Sequence, residues 1–191
     1  MAHISRTTTD IENTPALNQR LFEGEGEGES TPTLKSRSGF SEKGYFMNRF
    51  VSNSEEETAE VAAKIAADSR PGDVFALNGD LGAGKTVFSR GFAVALGVEC
   101  PICSPTFTIV QEYEIRDNLK PDLERLYHMD VYRIPDSDSA LAFGVDEFLD
   151  DESAIKLIEW SERVRDILPS TTTTIEIKHL NEHSREIIID K

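Results

Sequence analysis

The chain predicts a three-layer α/β domain built on a mixed central sheet and closed by a C-terminal β-hairpin. Three observations carry this. Runs with strand-like patterning take turns with runs of helical period along residues 50–170. The octapeptide Gly79-Asp80-Leu81-Gly82-Ala83-Gly84-Lys85-Thr86 fits G-x-x-x-x-G-K-[ST] and lies between a strand-like run, 73–77, and a helix-like run, 86–96. At the C-terminus, the β-rich runs 173–178 and 185–190 face each other across Asn181-Glu182-His183-Ser184. In its strand–loop–helix setting the octapeptide is a phosphate-binding loop, which makes the domain a P-loop NTPase fold. A chance glycine-rich turn is the alternative, and those flanks disfavour it.

Residues 1–46 lack apolar periodicity. They hold Thr7-Thr8-Thr9 and the alternating run Glu23-Gly24-Glu25-Gly26-Glu27-Gly28-Glu29. Such composition cannot bury enough apolar surface to offset ordering, so a disordered tail is expected there, with the P-loop domain at 47–191. A transit peptide fits less well, because transit peptides avoid acidic residues.

Ser54 is placed to cap a helix running to about Ala67, with Glu55, Glu56 and Glu57 in its positive first turn and Val61 and Ile65 on its apolar face. Arg70-Pro71-Gly72 breaks it. A strand at 73–78, the loop and a helix at 85–96 follow, with Gly97 ending the helix. Residues 106–113 alternate as a strand, Asp117-Asn118 reads as a turn, and 126–132 is a further strand. The polar stretch 135–151 holds one or two short helices carrying Leu141, Phe143, Val145, Phe148 and Leu149. Residues 154–160 form a buried-type strand, and 161–168 a short helix stopped by Pro169. The hairpin then completes the domain.

Composition limits the function. The 191 residues carry a net charge of −15, which opposes direct gripping of nucleic acid, though not access through a partner. No apolar run is long enough to cross a membrane, the start does not read as a secretory signal, and two cysteines make no disulfide framework. A cytoplasmic, reducing setting is expected. Cys100 and Cys103 have CxxC spacing but no second pair, and read as ordinary thiols.

The loop's chemistry follows from its residues. Backbone N–H groups of Leu81, Gly82, Ala83 and Gly84 can close around phosphate oxygens, and the helix start adds its positive end. Lys85 reaches the outer phosphates and the Thr86 hydroxyl suits Mg²⁺. Hydrolysis also needs a metal-holding carboxylate and a group that positions the attacking water. Asp130 and Glu159 each end a predicted strand, at the edge where ligands of open sheets collect. A surface carboxylate at a strand end is the plain alternative for each. Ser104-Pro105-Thr106 lies where a nucleotide-sensing switch could sit, although the pattern by itself favours a proline-containing loop entering a strand. His128 reads first as a packed histidine and Trp160 as a core or partner-packing aromatic.

The octapeptide, Ser104-Pro105-Thr106-Phe107, His128-Met129-Asp130-Val131-Tyr132-Arg133 and Ile158-Glu159-Trp160 occur in this order. Together they resemble the TsaE (formerly YjeE) family, over about residues 50–190. The P-loop is widely shared; the H-x-D-x-Y-R and E-W elements are far more specific. The resemblance implies an ATPase that binds ATP with Mg²⁺, hydrolyses it weakly alone, and works with TsaB and TsaD in threonylcarbamoylation of adenosine 37 of tRNA (t6A). It implies phosphate and Mg²⁺ roles for Lys85 and Thr86, a metal-site role for Glu159, and a Mg²⁺ or water role for Asp130. It makes Thr106 the switch threonine, and sets Glu55 and Arg185 near the nucleotide. It implies tRNA contact only through the complex. A small-molecule or nucleotide kinase is the alternative enzyme, disfavoured because the segment after Tyr132 is acidic and short. A nucleotide-gated interaction module without turnover is a third reading.

Overall fold

The computed structural model describes residues 37–40, 46–116 and 122–191, and all of them fall in one unit spanning 34–191. Two strands lead in, β1 (Arg37–Phe40) and β2 (Phe46–Ser52). Helix α1 (Glu55–Asp68) starts where Ser54, in extended conformation, accepts the Glu57 amide at 3.1 Å. Glu57 reaches back to the Asn53 amide at 2.7 Å, which satisfies a second free donor at the helix start. Strand β3 (Val74–Asn78) runs into the phosphate-binding loop, and α2 (Lys85–Ala95) leaves it.

Strands β4 (Val110–Glu114) and β5 (Arg125–Asp130) come next, then the short helices α3 (Ser137–Phe143) and α4 (Val145–Leu149). Strand β6 (Ala154–Glu159), a 3-10 segment at Ser161–Ile167, and the hairpin β7 (Thr173–His179) and β8 (Arg185–Asp190) complete the chain. The sheet order is β1-β2-β8-β7-β3-β6-β5-β4. Strands β7, β3, β6 and β5 run parallel; β8, β2, β1 and β4 join by antiparallel pairing.

Both faces of the central strands are covered. Phe75 and Leu77 of β3, with Leu126, Ile155, Leu157, Ile175 and Ile177, pack under Val61 and Ala66 of α1 and Phe88 and Phe92 of α2. On the other face Val74, Met129 and Ile158 meet Ala140 of α3, Val145 and Leu149 of α4, and Val164. The expected three-layer arrangement is therefore present. Helix α1 lies very close to α2, because a Cβ built on Gly91 would stand 2.5 Å from Ala59 Cα. This accounts for a glycine in mid-helix despite its poor propensity.

Three expectations change. The predicted tail, 1–46, lies mostly outside the described residues, but it overlaps β1 and the first residue of β2. Both strands are missed by the sequence reading, because β2 takes its register from β8, with Met47 opposite Asp190. The strand expected at 106–113 begins only at Val110; before it, residues 106–108 turn and Ile109 has φ 66°. The helix expected at 161–168 is a kinked 3-10 segment, bent at Val164. The turn expected at Asp117-Asn118 lies outside the described residues.

Candidate nucleotide-binding site

The phosphate-binding loop joins the C-terminal end of β3 to the start of α2, and local sterics explain its glycines. Gly79 has φ 140°, and a Cβ there would fall 2.3 Å from the Ile177 carbonyl oxygen of β7. Gly84 caps α2 with φ 108°. No side chain at either position could hold that backbone without strain. Leu81, Gly82, Gly84, Lys85 and Thr86 line a cleft of ≈ 430 Å³ with Ser104, Thr106, Asp130, Tyr132, Glu159 and Trp160. Ala83 is buried beneath it.

Lys85 is buried, and its Nζ donates to the Gly79 carbonyl at 2.7 Å and the Asp80 carbonyl at 3.0 Å. It also stands 3.7 Å from the centre of the Trp160 ring, a cation–π distance. Burial pushes its ammonium below the ordinary lysine range, while Glu159, Glu162, Asp130 and Asp80 pull the other way.

Two carboxylates face each other in register at the end of adjacent parallel strands: Asp130 of β5 pairs with Glu159 of β6. Both are buried. Glu159 Oε2 accepts from the Thr86 hydroxyl at 3.1 Å. Its Oε1 accepts from the Ser89 hydroxyl at 2.9 Å and lies 2.8 Å from His128 Nε2. Asp130 Oδ2 accepts from Ser104 at 2.5 Å and Thr106 at 2.6 Å, and Oδ1 accepts from the Tyr132 amide at 3.0 Å. Asp130 thus ties the Ser104–Thr106 segment to the sheet edge.

Trp160, directly after Glu159, has φ 64°, and its amide donates to the Leu77 carbonyl at 3.0 Å. With Ile109 it is one of the two non-glycine residues of positive φ among those described, and both stand beside the cleft's carboxylates in sequence or space: the Ile109 carbonyl accepts the Asp130 amide at 2.9 Å. Left-handed backbone at a bulky residue costs of order 1–3 kcal/mol and is held only where the surroundings enforce it.

The donor set fits Mg²⁺. It consists of a threonine hydroxyl and two carboxylates, all hard oxygen donors. Among the described residues no three His, Cys, Asp or Glu side chains gather about one point. That suits an ion which keeps several waters and takes phosphate oxygens. Thr86, Glu159 and Asp130 are the residues that could hold it.

Two residues expected near the nucleotide are not among those that line the cleft. Glu55 is exposed on the first turn of α1 and is not among the cleft-lining residues. Arg185 does not line the cleft either; its Nε donates to the Ala83 carbonyl at 3.1 Å, while NH1 donates to the carbonyls of Asn181, Glu182 and Ser184 at 3.1–3.3 Å. Its guanidinium thus ties the phosphate-binding loop to the C-terminal hairpin. Cys100 and Cys103 are free and exposed. Sequence reasoning missed Ser89, although it lies on the α2 face of Lys85 and Thr86 at helical spacing, which is the signal that would have found it. His128 was read as a packed residue; it is buried, and it also contacts Glu159.

Comparison with known proteins agrees with this geometry. The family described as threonylcarbamoyl adenosine biosynthesis protein TsaE matches residues 52–187. A tRNA threonylcarbamoyladenosine biosynthesis protein TsaE of Bacillus subtilis (strain 168) is 45% identical over 132 residues, covering 69% of this chain and 78% of that protein. The corresponding proteins of Treponema pallidum (strain Nichols) and Aquifex aeolicus (strain VF5) are 38% and 37% identical, covering 74% and 75% of this chain and 98% and 96% of theirs. The crystal structure of Bacillus subtilis YdiB superposes with a TM-score of 0.62 at 36% identity, covering 76% of this chain and 86% of that one. With the phosphate-binding loop, the two strand-end carboxylates and these matches in agreement, the chain belongs to the TsaE family.

Proposed function

We propose that this protein is a Mg²⁺-dependent ATPase that supports threonylcarbamoylation of adenosine 37 in tRNA as the partner of a TsaB–TsaD complex. The observation that carries the reading is the in-register pair Asp130 and Glu159, which puts two buried carboxylates in the same cleft as Lys85 and Thr86. Two such groups suit phosphoryl transfer to water, where one serves the metal and the other positions the attacking group.

The division of labour follows from the contacts. Loop amides and Lys85 hold the phosphates. Mg²⁺, when bound, would supply charge neutralisation for the phosphates, and Thr86 and Glu159 would hold it. Glu159 and Thr86 share a hydrogen bond and serve its side of the cleft. Asp130, gripped by Ser104 and Thr106, orients water and reports the state of the γ-phosphate to that segment. Because Lys85 sits against Trp160, phosphate entry draws the ammonium away from the ring.

Weak turnover alone is supported by where the arginines lie. Arg133 stacks 4.5 Å from the Phe107 ring centre, Arg163 lies 5.3 Å from the Tyr132 ring centre, and Arg185 is held by backbone carbonyls. None of the three lines the cleft. Leu81 and Phe107 are 81% and 85% exposed beside it, which suits a protein partner covering the site. The net charge of −15 favours tRNA contact through that partner. No helix among the described residues is long and apolar enough to cross a membrane, in keeping with work in the cytoplasm.

The test is ATP turnover of the purified chain with and without TsaB and TsaD. Stimulation by the pair supports the proposal. Absence of stimulation, with label from the γ-phosphate appearing on a small acceptor, would replace it with a kinase.

A further inference from the structure

Glu159 is held from behind as well as in front. On the cleft side Oε2 meets Thr86; on the buried side Oε1 meets Ser89 and His128. The Ser89 hydroxyl has one hydrogen and two acceptors in reach, Glu159 Oε1 at 2.9 Å and the Lys85 carbonyl at 3.0 Å. It therefore cannot serve Glu159 alone. His128 has no such choice. Its ring is fully buried on β5, Nε2 lies 2.8 Å from Oε1, and Nδ1 meets no hydrogen-bond partner among the described residues. Two lone pairs at 2.8 Å would repel, so the hydrogen sits on Nε2 and points at the carboxylate.

We propose that His128 is the positioning residue for Glu159, fixing Oε1 at the back so that Oε2 is presented to the cleft in one orientation. This rests on the reading of Glu159 as a metal-site residue. The physical argument is geometric. A carboxylate tethered at one oxygen still turns about its last torsion, which is broad and shallow. A second tether, to the other oxygen, removes that freedom before any ion arrives. Outer partners of this kind typically change metal affinity by about 10- to 100-fold when removed. His128 reaches Glu159 from the neighbouring strand, so the sheet itself sets the angle of the carboxylate.

The experiment uses the full chain, a non-hydrolysable ATP analogue, and Mn²⁺ as the probe, read by the EPR signal of free Mn²⁺. His128→Gln keeps an N–H donor near the position of Nε2; His128→Asn is shorter and cannot reach Oε1; His128→Leu keeps bulk without a donor. The expected result is Mn²⁺ affinity within about threefold of the natural chain for H128Q, and a loss of about tenfold or more for H128N and H128L. Analogue affinity in EDTA is expected to stay unchanged in all three. Glu159→Gln separates the two claims. If E159Q weakens Mn²⁺ binding and the His128 variants do not, the positioning role is overturned alone. If E159Q leaves Mn²⁺ binding intact, the metal-site reading falls and takes this inference with it. Should H128L fail to fold, equal Mn²⁺ affinity in H128Q and H128N overturns the role by itself.

Discussion

Asp130 and Glu159 are paired across β5 and β6, yet among the described residues no hydrogen-bond donor is common to both. Asp130 is held by Ser104, Thr106 and the Tyr132 amide, Glu159 by Thr86, Ser89 and His128. Two adjacent acids are thus wired differently, one to the loop that follows α2, the other to α2 and to His128 of β5. Their loss should therefore show differently.

Glu159→Gln should lower metal-dependent ATP hydrolysis by about 100-fold, the scale of losing one electrostatic group in a closed site. Asp130→Asn should lower it comparably and also loosen residues 104–109, seen as faster amide hydrogen exchange there. The check is turnover together with exchange for both variants. Equal exchange in the two would contradict separate wiring.

Lys85→Ala removes a buried ammonium aimed at the loop. A charge-assisted hydrogen bond contributes about 1.5–3 kcal/mol, so triphosphate affinity should fall by about 10- to 100-fold. Titration with a fluorescent ATP analogue measures this. The fold should survive, because the lysine's present partners are two loop carbonyls beside the cleft.

A prediction about acid stability lies away from the cleft. The Asp151 carboxylate accepts from the Ser153 hydroxyl and amide and the Tyr127 hydroxyl, and forms an ion pair with Arg125 at 3.2 Å. These bonds, Ser153 first, lower its pKa to about 2 from 3.8. The folded state thus favours the ionised form. That stability is complete above the unfolded value and disappears as pH falls through the folded one, a window from about 4 to about 2. Asp151→Asn should cost on the order of 2 kcal/mol at neutral pH, little near pH 2 and nothing well below it. Urea unfolding across that range tests it.

Gly91→Ala sets two effects against each other. Better helix propensity favours alanine by about 1 kcal/mol. The new Cβ would meet Ala59 Cα at 2.5 Å and Ala59 Cβ at 2.7 Å, and overpacking against backbone costs about 1–3 kcal/mol. Because the obstacle is a helix rather than a flexible side chain, the clash should win, with a lower urea midpoint and an unchanged slope.

Much of this was legible in the sequence because the signals are local. The Ser54 cap, the phosphate-binding loop and the C-terminal hairpin each depend on a few adjacent residues, and each is where the pattern places it. Asp130 and Glu159 were legible because strand ends are. What the sequence hid depends on distant partners. Strand β2 is defined by β8, and Thr106 leaves the strand pattern because Asp130 draws its hydroxyl in. Arg185 shows the same limit. Its residue type suits phosphate, but the nearby carbonyls of Ala83 and the hairpin claim its donors first.

The neighbours of β3 carry a consequence for biogenesis. Its two parallel partners, β6 and β7, begin at residues 154 and 173, and Gly79 nests against Ile177. The loop that grasps phosphate is therefore made early and finished late. A nascent chain that has left the ribosome only as far as α4 holds every residue of the motif and neither wall of its cradle. Parallel pairing at that separation is slow to form. ATP capture should begin only once the C-terminal hairpin is free to dock, so prematurely ended translation products would not sequester nucleotide.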